Sequence, residues 1–471
     1  MKMRSVAVLA AMLTLVGCAS TSAKPAFKDV AQNVETRSGH KVRWDADAEA
    51  DKEVEQAIDR LLAVDLTVDA AVQIALLNNP SLHAKFEELA IAQADLVQAG
   101  LLKNPVFSVG RTAWDAEHLD TNIFATVEQD FLDIIVMPLR KRVAATELEA
   151  TKLQVADDVL ELASEVRAAF FAAQSAEQVV AMRRVINDAG TTSAELARAQ
   201  HEAGNMNDLD FNSELALASQ TSLEQKRSEG EAGVARETLN KRMGVWGPRT
   251  KWRMASRLPE LPQEEPSLEH LEAAAIMQRL DVAAARRDVQ ALGYALGMVK
   301  ATRWTGMISV HVEAGRLRNS KRFSFGPSVA FEIPLFDQRQ AAVARLEAFK
   351  RQSEDTLRAL AIDVRADVRA SIVRVRTARS VVDEYAKVLV PLRENIVRFS
   401  QQNYDAMLLG VYHLIMAKQT EFTTYREYIE ALRDYWMARS DLERAIGGRI
   451  DRPRALPPGT TSVAPPAEHS H

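Results

Sequence analysis

The chain has 471 residues, 47% of them hydrophobic and 26% charged, with a formal charge of -5. That balance is globular. No basic stripe with interleaved aromatics is present, which excludes a nucleic-acid partner, and a single cysteine excludes an internal disulfide.

The N-terminus reads Met1-Lys2-Met3-Arg4, followed by a largely apolar run from Ser5 to Val16. Charge followed by a short apolar run is an export signal, and no other run approaches the roughly 18 residues of a spanning helix. The run ends in Leu15-Val16-Gly17-Cys18, which resembles the lipobox of bacterial lipoproteins. In that motif the signal, here residues 1–17, is cut before the cysteine and the thiol is acylated, so Cys18 is the expected lipid attachment point. Ala19 follows in place of aspartate, which in such lipoproteins implies sorting to the outer membrane. Loss of Lys2 and Arg4 takes the formal charge from -5 to -7. Residues 18–63 are polar and mixed, a tether with some helix near Ala48 to Leu62.

Thr67 caps a predicted helix from Val68 to Asn78. Pro80 opens another, to about Leu102, ended by Asn104-Pro105. Two strands follow, near Val106 to Trp114 and Thr121 to Phe131. In the second, Ile123, Ala125 and Val127 oppose Asn122, Thr126 and Glu128, while Phe124 interrupts the polar face. Pro138 suits the first turn of a long helix. From it to Gln200 there is no further proline, and about 60 helical residues at 1.5 Å each span roughly 90 Å, too long for one compact domain. Val155, Val159, Leu162, Val166, Ala169 and Ala173 step by fours and threes, a coiled-coil seam. Gly204-Asn205 makes a turn, and a return helix runs from Asp208 to Met243. The proline-rich stretch 247–266 is the linker.

The order then repeats. Helices are expected over Leu268 to Gln278 and Asp281 to Thr302. In the strands that follow, Ile308, Val310 and Val312 alternate with Ser309, His311 and Glu313. Phe323, Phe325, Pro327, Val329, Phe331 and Ile333 alternate with Ser324, Gly326, Ser328, Ala330 and Glu332. Period two is a strand signal. Each run of about ten residues, tilted, crosses a band of roughly 25 Å, which suits a membrane β-barrel wall. Ser309, His311, Glu313 and Glu332 would then line a water-filled lumen. A second long helix spans Gln338 to Asn403, bent at Pro391. Gly410 marks its turn, a return helix ends near Ile446, and 449–471 is a proline-rich, disordered tail.

The repeat is legible residue by residue. Glu128 and Asp133 match Glu332 and Asp337, 204 positions on; Glu165-Val166-Arg167-Ala168 matches Asp367-Val368-Arg369-Ala370, 202 on. Leu239 to Gly244 resembles Leu442 to Gly447, 203 on. Three anchors at nearly one offset indicate a duplication of units 64–246 and 267–448. Four strands cannot close a barrel, and an open edge cannot sit in lipid, so the chain must oligomerise; two copies would give eight strands, three would give twelve.

Leu66-Thr67-Val68-Asp69-Ala70-Ala71, Asn79-Pro80-Ser81-Leu82, Gln98 to Pro105 (QAGLLKNP) and Ile333-Pro334-Leu335-Phe336-Asp337 occur in order within this frame. In these the chain, over about residues 64–448, resembles the outer-membrane efflux family whose archetype is the TolC channel, and more closely its lipoprotein branch. The resemblance implies a mainly α fold with a membrane β-barrel portion. It implies a homotrimer with a twelve-stranded barrel and a periplasmic tunnel of coiled-coil helices. It further implies a passive exit duct of a tripartite efflux system, joined to a periplasmic adaptor and an inner-membrane pump, for heavy-metal ions or toxic organics.

In that family the helical turns furthest from the membrane close the tube, and those turns match Gly204 to Asp210 and Gly410 to Met416. Some members carry aspartates six and nine positions after the second glycine, where this chain has Met416 and Gln419. The first repeat offers Asp208 and Asp210, although Asp208 reads equally as a helix N-cap. His413 and Met416 lie three apart on one helix face, with Met407 nearby, open to soft-metal contact or to ordinary pore lining. No phosphate loop, dinucleotide fingerprint, zinc-protease motif or nucleophile elbow occurs, so neither enzyme activity nor a cofactor is expected. The alternative is a periplasmic coiled-coil adaptor or structural tether lipoprotein, which would not need two matched barrel hairpins.

Overall fold

The computed structural model describes residues 20–44, 48–113, 121–263, 270–306, 308–317 and 323–450. Cys18, the signal before it and the tail beyond 450 lie outside the described residues. No described helix is long and apolar enough to cross a membrane.

The N-terminal segment holds α1 (Lys24–Ser38) and α2 (Ala48–Leu62), and the first half then holds α3 (Val68–Asn78), α4 (Pro80–Ala99), β1 (Val106–Ala113), β2 (Thr121–Asp130), α5 (Leu132–Glu202) and α6 (Asp208–Met243). The second holds α7 (Leu271–Gln278), α8 (Leu280–Ala301), β3 (Ile308–Leu317), β4 (Phe323–Phe331), α9 (Gln340–Glu384), α10 (Val390–Asp405) and α11 (Val411–Ile446). Thr67 caps α3 as its sequence suggests, its hydroxyl accepting the Ala70 N–H at 3.2 Å. The α3 face Ala71, Val72, Ile74, Ala75 and Leu76 is fully buried.

Helix α5 runs 71 residues. It begins at Leu132, whose N–H is taken by the Asp130 carboxylate at 3.0 Å, so Pro138 sits in the second turn and not the first. The seam packs as its spacing requires: Val155, Val159, Val166, Ala169 and Ala173 are buried, and Ala163 is buried beside a half-buried Leu162. In the second repeat the long helix is interrupted by a π turn, Tyr385–Leu389, directly before Pro391. Proline has no N–H and crowds the carbonyl four residues back; the wider π turn absorbs both effects and leaves the helix otherwise intact.

Two stretches are more ordered than their composition suggests. The N-terminal segment folds as α1 and α2, and Val30 and Val34 of α1 have no solvent exposure. The linker starts as a 3-10 turn, Gly247–Thr250, and continues as a pinned strap. Trp252 and Leu258 are buried. Gln174 donates to the carbonyls of Ala255 and Arg257, and Gln178 accepts the Leu258 N–H.

Two compact units result. One combines residues 1–30, 85–155 and 281–360 and holds the sheet; the other combines 31–84, 156–280 and 361–471 and holds the helical turns. The sheet is antiparallel throughout, in the order β1-β2-β3-β4. The β2–β3 pairing joins the two repeats, and β1 and β4 are its edges.

Candidate functional site

Strand register decides which residues share a face. Val127 pairs with Phe107 on one side and Val312 on the other, and Val312 pairs with Pro327. Ala125 joins Val109 and Ala314; Val310 joins Val329; Ile308 joins Phe331. One face of the sheet is therefore apolar across all four strands, apart from Gln129 and, at the end away from the helices, Arg111 and Arg316. Phe107, Val109, Ile123, Phe323, Phe325, Val329 and Phe331 on it are each more than half exposed. A contiguous exposed apolar face of this size needs a non-aqueous neighbour.

The opposite face is polar. It carries Ser108 of β1, Thr126, Glu128 and Asp130 of β2, Ser309, His311 and Glu313 of β3, and Ser324 and Ser328 of β4. Three of the four expected lumen residues, Ser309, His311 and Glu313, thus lie on one face. Glu332 follows directly after β4, and its carbonyl stands where Gly306 leaves no room for a side chain: a Cβ there would be 2.3 Å from it.

Phe124 interrupts this polar face for a physical reason. Its cross-strand partners are Gly110 and Gly315, and a Cβ on Gly110 would stand 2.2 Å from the ring. The ring lies over a glycine and covers bare backbone.

At the end of the face nearer the helices, the Ser309 hydroxyl is 2.7 Å from His311 Nε2, and His311 Nδ1 is 3.6 Å from a Glu128 carboxylate oxygen. The tautomer with its proton on Nδ1 satisfies both neighbours: Ser309 donates to Nε2 and Nδ1–H points at Glu128. Glu128 was not among the sequence candidates, because its approach to His311 depends on the β2–β3 register. Asp130 is matched by Lys103 at 3.1 Å, and this pairing holds the Lys103 ammonium above its ordinary range.

The helical turns form the second candidate region. Gly204 has φ +74° and Met407 φ +58°. The Asn205 N–H reaches the Gln200 carbonyl and the Leu408 N–H reaches the Asn403 carbonyl, each at 2.8 Å. Met407 is therefore the counterpart of Gly204, and the counterpart of Gly410 is Asn207. Asn207, not Asp208, caps α6: its side chain accepts the Asp210 N–H at 2.9 Å and donates to the Asp210 carboxylate at 2.7 Å. Asp208 is almost fully exposed, 3.5 Å from His201 Nε2. The His201 ring stacks on Phe211 at 4.4 Å and its Nδ1 meets the Met206 carbonyl at 3.0 Å.

On the other turn His413, Met416 and Gln419 are exposed along the start of α11, and Met407 is 93% exposed. Among the described residues no group of three or more His, Cys, Asp or Glu could hold a metal ion. Further along this helix pair, the Tyr385 hydroxyl donates to Glu427 and that of Tyr425 to Glu394. Burial first, and then the adjacent carboxylates, push both phenols above their ordinary range.

No family model and no curated relative matches the sequence. Solved structures do match in fold. A membrane protein from Pseudomonas aeruginosa is 18% identical with a TM-score of 0.72, over 82% of this chain and 93% of that one. The Campylobacter jejuni CmeC outer membrane channel is 14% identical with a TM-score of 0.71, over 81% and 85%. The open state of the Neisseria gonorrhoeae MtrE outer membrane channel is 16% identical with a TM-score of 0.64, over 81% and 89%. The chain has the fold of these channels, long helices with a small strand-contributed sheet.

Proposed function

We propose, from a fold shared with outer-membrane channels, that this chain is the outer-membrane exit duct of a tripartite efflux system. The observation that carries the proposal is the sheet: two open edges, one face exposed and apolar, the other polar. Such a sheet is stable in a bilayer only if copies close its edges and the apolar face meets lipid. Three copies supply twelve strands. The polar face then lines water, and substrate delivered by a periplasmic adaptor and an inner-membrane pump leaves passively. Heavy-metal ions or toxic organics are the substrate classes. Cys18 anchors each chain to the membrane through its acylated thiol.

The experiment is reconstitution of the purified full-length protein into planar bilayers. Discrete conductance steps support the duct; absence of any conductance from detergent-extracted oligomers would overturn it. The turns are the proposed gate, with Asp208 and Asp210 as a ring of negative charge and His413, Met416 and Gln419 at the second turn. Replacing Asp208 and Asp210 by Ala, singly and together, should weaken block by multivalent cations. Unchanged block would leave both acids as helix-end residues only.

A further inference from the structure

The polar face of the sheet carries a charge pattern that a gate at the turns does not use. On the described strands its acids are Glu128, Asp130 and Glu313. Neither Lys nor Arg falls on it: Arg111 and Arg316 pair with Ile123 on the opposite face. Asp130 is neutralised by Lys103, so Glu128 and Glu313 set the local field. Among the described residues the imidazole on this face is that of His311, between Glu128 and Ser309.

We propose that Glu128 and Glu313 make the barrel lumen prefer cations, and that protonation of His311 switches this preference down. The proposal rests on the barrel reading above. A lumen walled by low-dielectric material focuses the field of its fixed charges, so a few carboxylates suffice to enrich cations. Histidine is the side chain whose charge changes between pH 5 and 8.

The groups facing His311 are Glu128 and Asp130 from β2, uncharged Ser328 and Ala330 from β4, and Ser309 and Glu313 on its own strand. None is a cation. Lys103 lies beyond Asp130 and is taken up by it, so a proton on His311 offsets the field of Glu128. Ser309 is 1% exposed, so its hydroxyl answers in place, rotating from donor to acceptor as Nε2 takes the proton. No backbone movement is needed.

The test is the reversal potential of the full-length protein in planar bilayers under a potassium chloride gradient, from pH 8 to pH 5. Wild type should prefer potassium at pH 8 and lose about half of that preference or more by pH 5. Glu128→Gln with Glu313→Gln should lower the preference at pH 8 while channels still form. His311→Gln should keep the preference at pH 8 and flatten its pH dependence, which separates His311 from His201 and His413 at the turns.

Ser309→Ala is the second variant. It removes the hydrogen bond that holds the imidazole beside Glu128 and should change the pH profile of the reversal potential while channels still form. The inference is overturned if the double carboxamide variant keeps the wild-type reversal potential, or if His311→Gln keeps the wild-type pH profile. Absence of any conductance in wild type would refute the barrel reading itself, and this inference with it.

Discussion

The carbonyls left over at the end of α6 belong to Met243 and Gly244, and the side-chain amide of Asn78 donates to both, at 3.3 and 2.7 Å. At the matching end of α11 no asparagine is present, because α7 ends in Gln278-Arg279. There Arg37, from the N-terminal segment, donates to the Gln278 carbonyl at 2.6 Å and the Gly447 carbonyl at 3.2 Å. A guanidinium from elsewhere in the chain has taken over the role of a local amide. Charge-assisted bonds in a half-buried site are worth about 2 kcal/mol together. Arg37→Ala should therefore lower the thermal unfolding midpoint, measured in detergent, about as much as Asn78→Ala. Adding Gln278→Asn to Arg37→Ala should recover part of the loss, because it restores the amide that the first repeat uses. The role of Arg37 was illegible in the sequence. The segment reads as a polar tether, and its partners are backbone atoms more than two hundred residues away. Phe124 was opaque for a similar reason, since the glycines beneath it come from two other strands.

At the scale of elements the strands were the most legible part. Alternation in Phe323 to Phe331 and Ile308 to Glu313 assigned the same faces that the register places together, because a period of two leaves one choice of side. The consequence is testable. Val329→Asp or Phe331→Asp puts a charge on the apolar face and should cost on the order of 1 kcal/mol per chain, more at Val329 than at Phe331, which ends β4. Ser328→Asp, on the polar face, should cost much less. The fraction of heat-resistant oligomer in membranes reads this difference, and equal effects at the three positions would contradict the facing. The long helices were legible from the absence of proline, but their beginnings were not. Asp130 starts α5 as a side-chain cap, which moved Pro138 inward. The turns were misaligned because glycine was taken as their marker. In the second repeat the left-handed position is held by Met407, a residue type that rarely adopts it.

For the whole molecule the proposed assembly turns on the edges of β1 and β4. Detergent-extracted protein should show threefold symmetry by electron microscopy; a folded monomer or a dimer would contradict the twelve-stranded barrel. Lipid attachment is a separate question from barrel insertion. Mass spectrometry of the mature N-terminal peptide should find an acylated Cys18. Several acyl chains hold a protein far more firmly than one. Yet Cys18→Ser should still leave an inserted oligomer, because on the proposed barrel reading the apolar sheet face meets lipid by itself. That the molecule needs copies of itself could be argued from four strands and two edges. The number of copies could not, since eight and twelve strands both close.

The π turn at Tyr385–Leu389 also bears on how the two halves correspond. Before it, buried positions of the two long helices match at 202: Val166 with Val368, Ala173 with Val375, Val180 with Val382. After it they match at 203: Ala194 with Val397, then Asn207 with Gly410 and Gly244 with Gly447. One residue separates the two counts, and the π turn lies in the interval between them. In an α-helix one added residue rotates everything downstream by about 100°, which would turn the buried stripe outward. A π turn swallows the extra residue within a single loop of helix and hands the stripe on in phase. Along the long helices the two halves of this chain thus differ by one residue across this interval, and the π turn beside Pro391 takes it up while the buried stripe keeps its side.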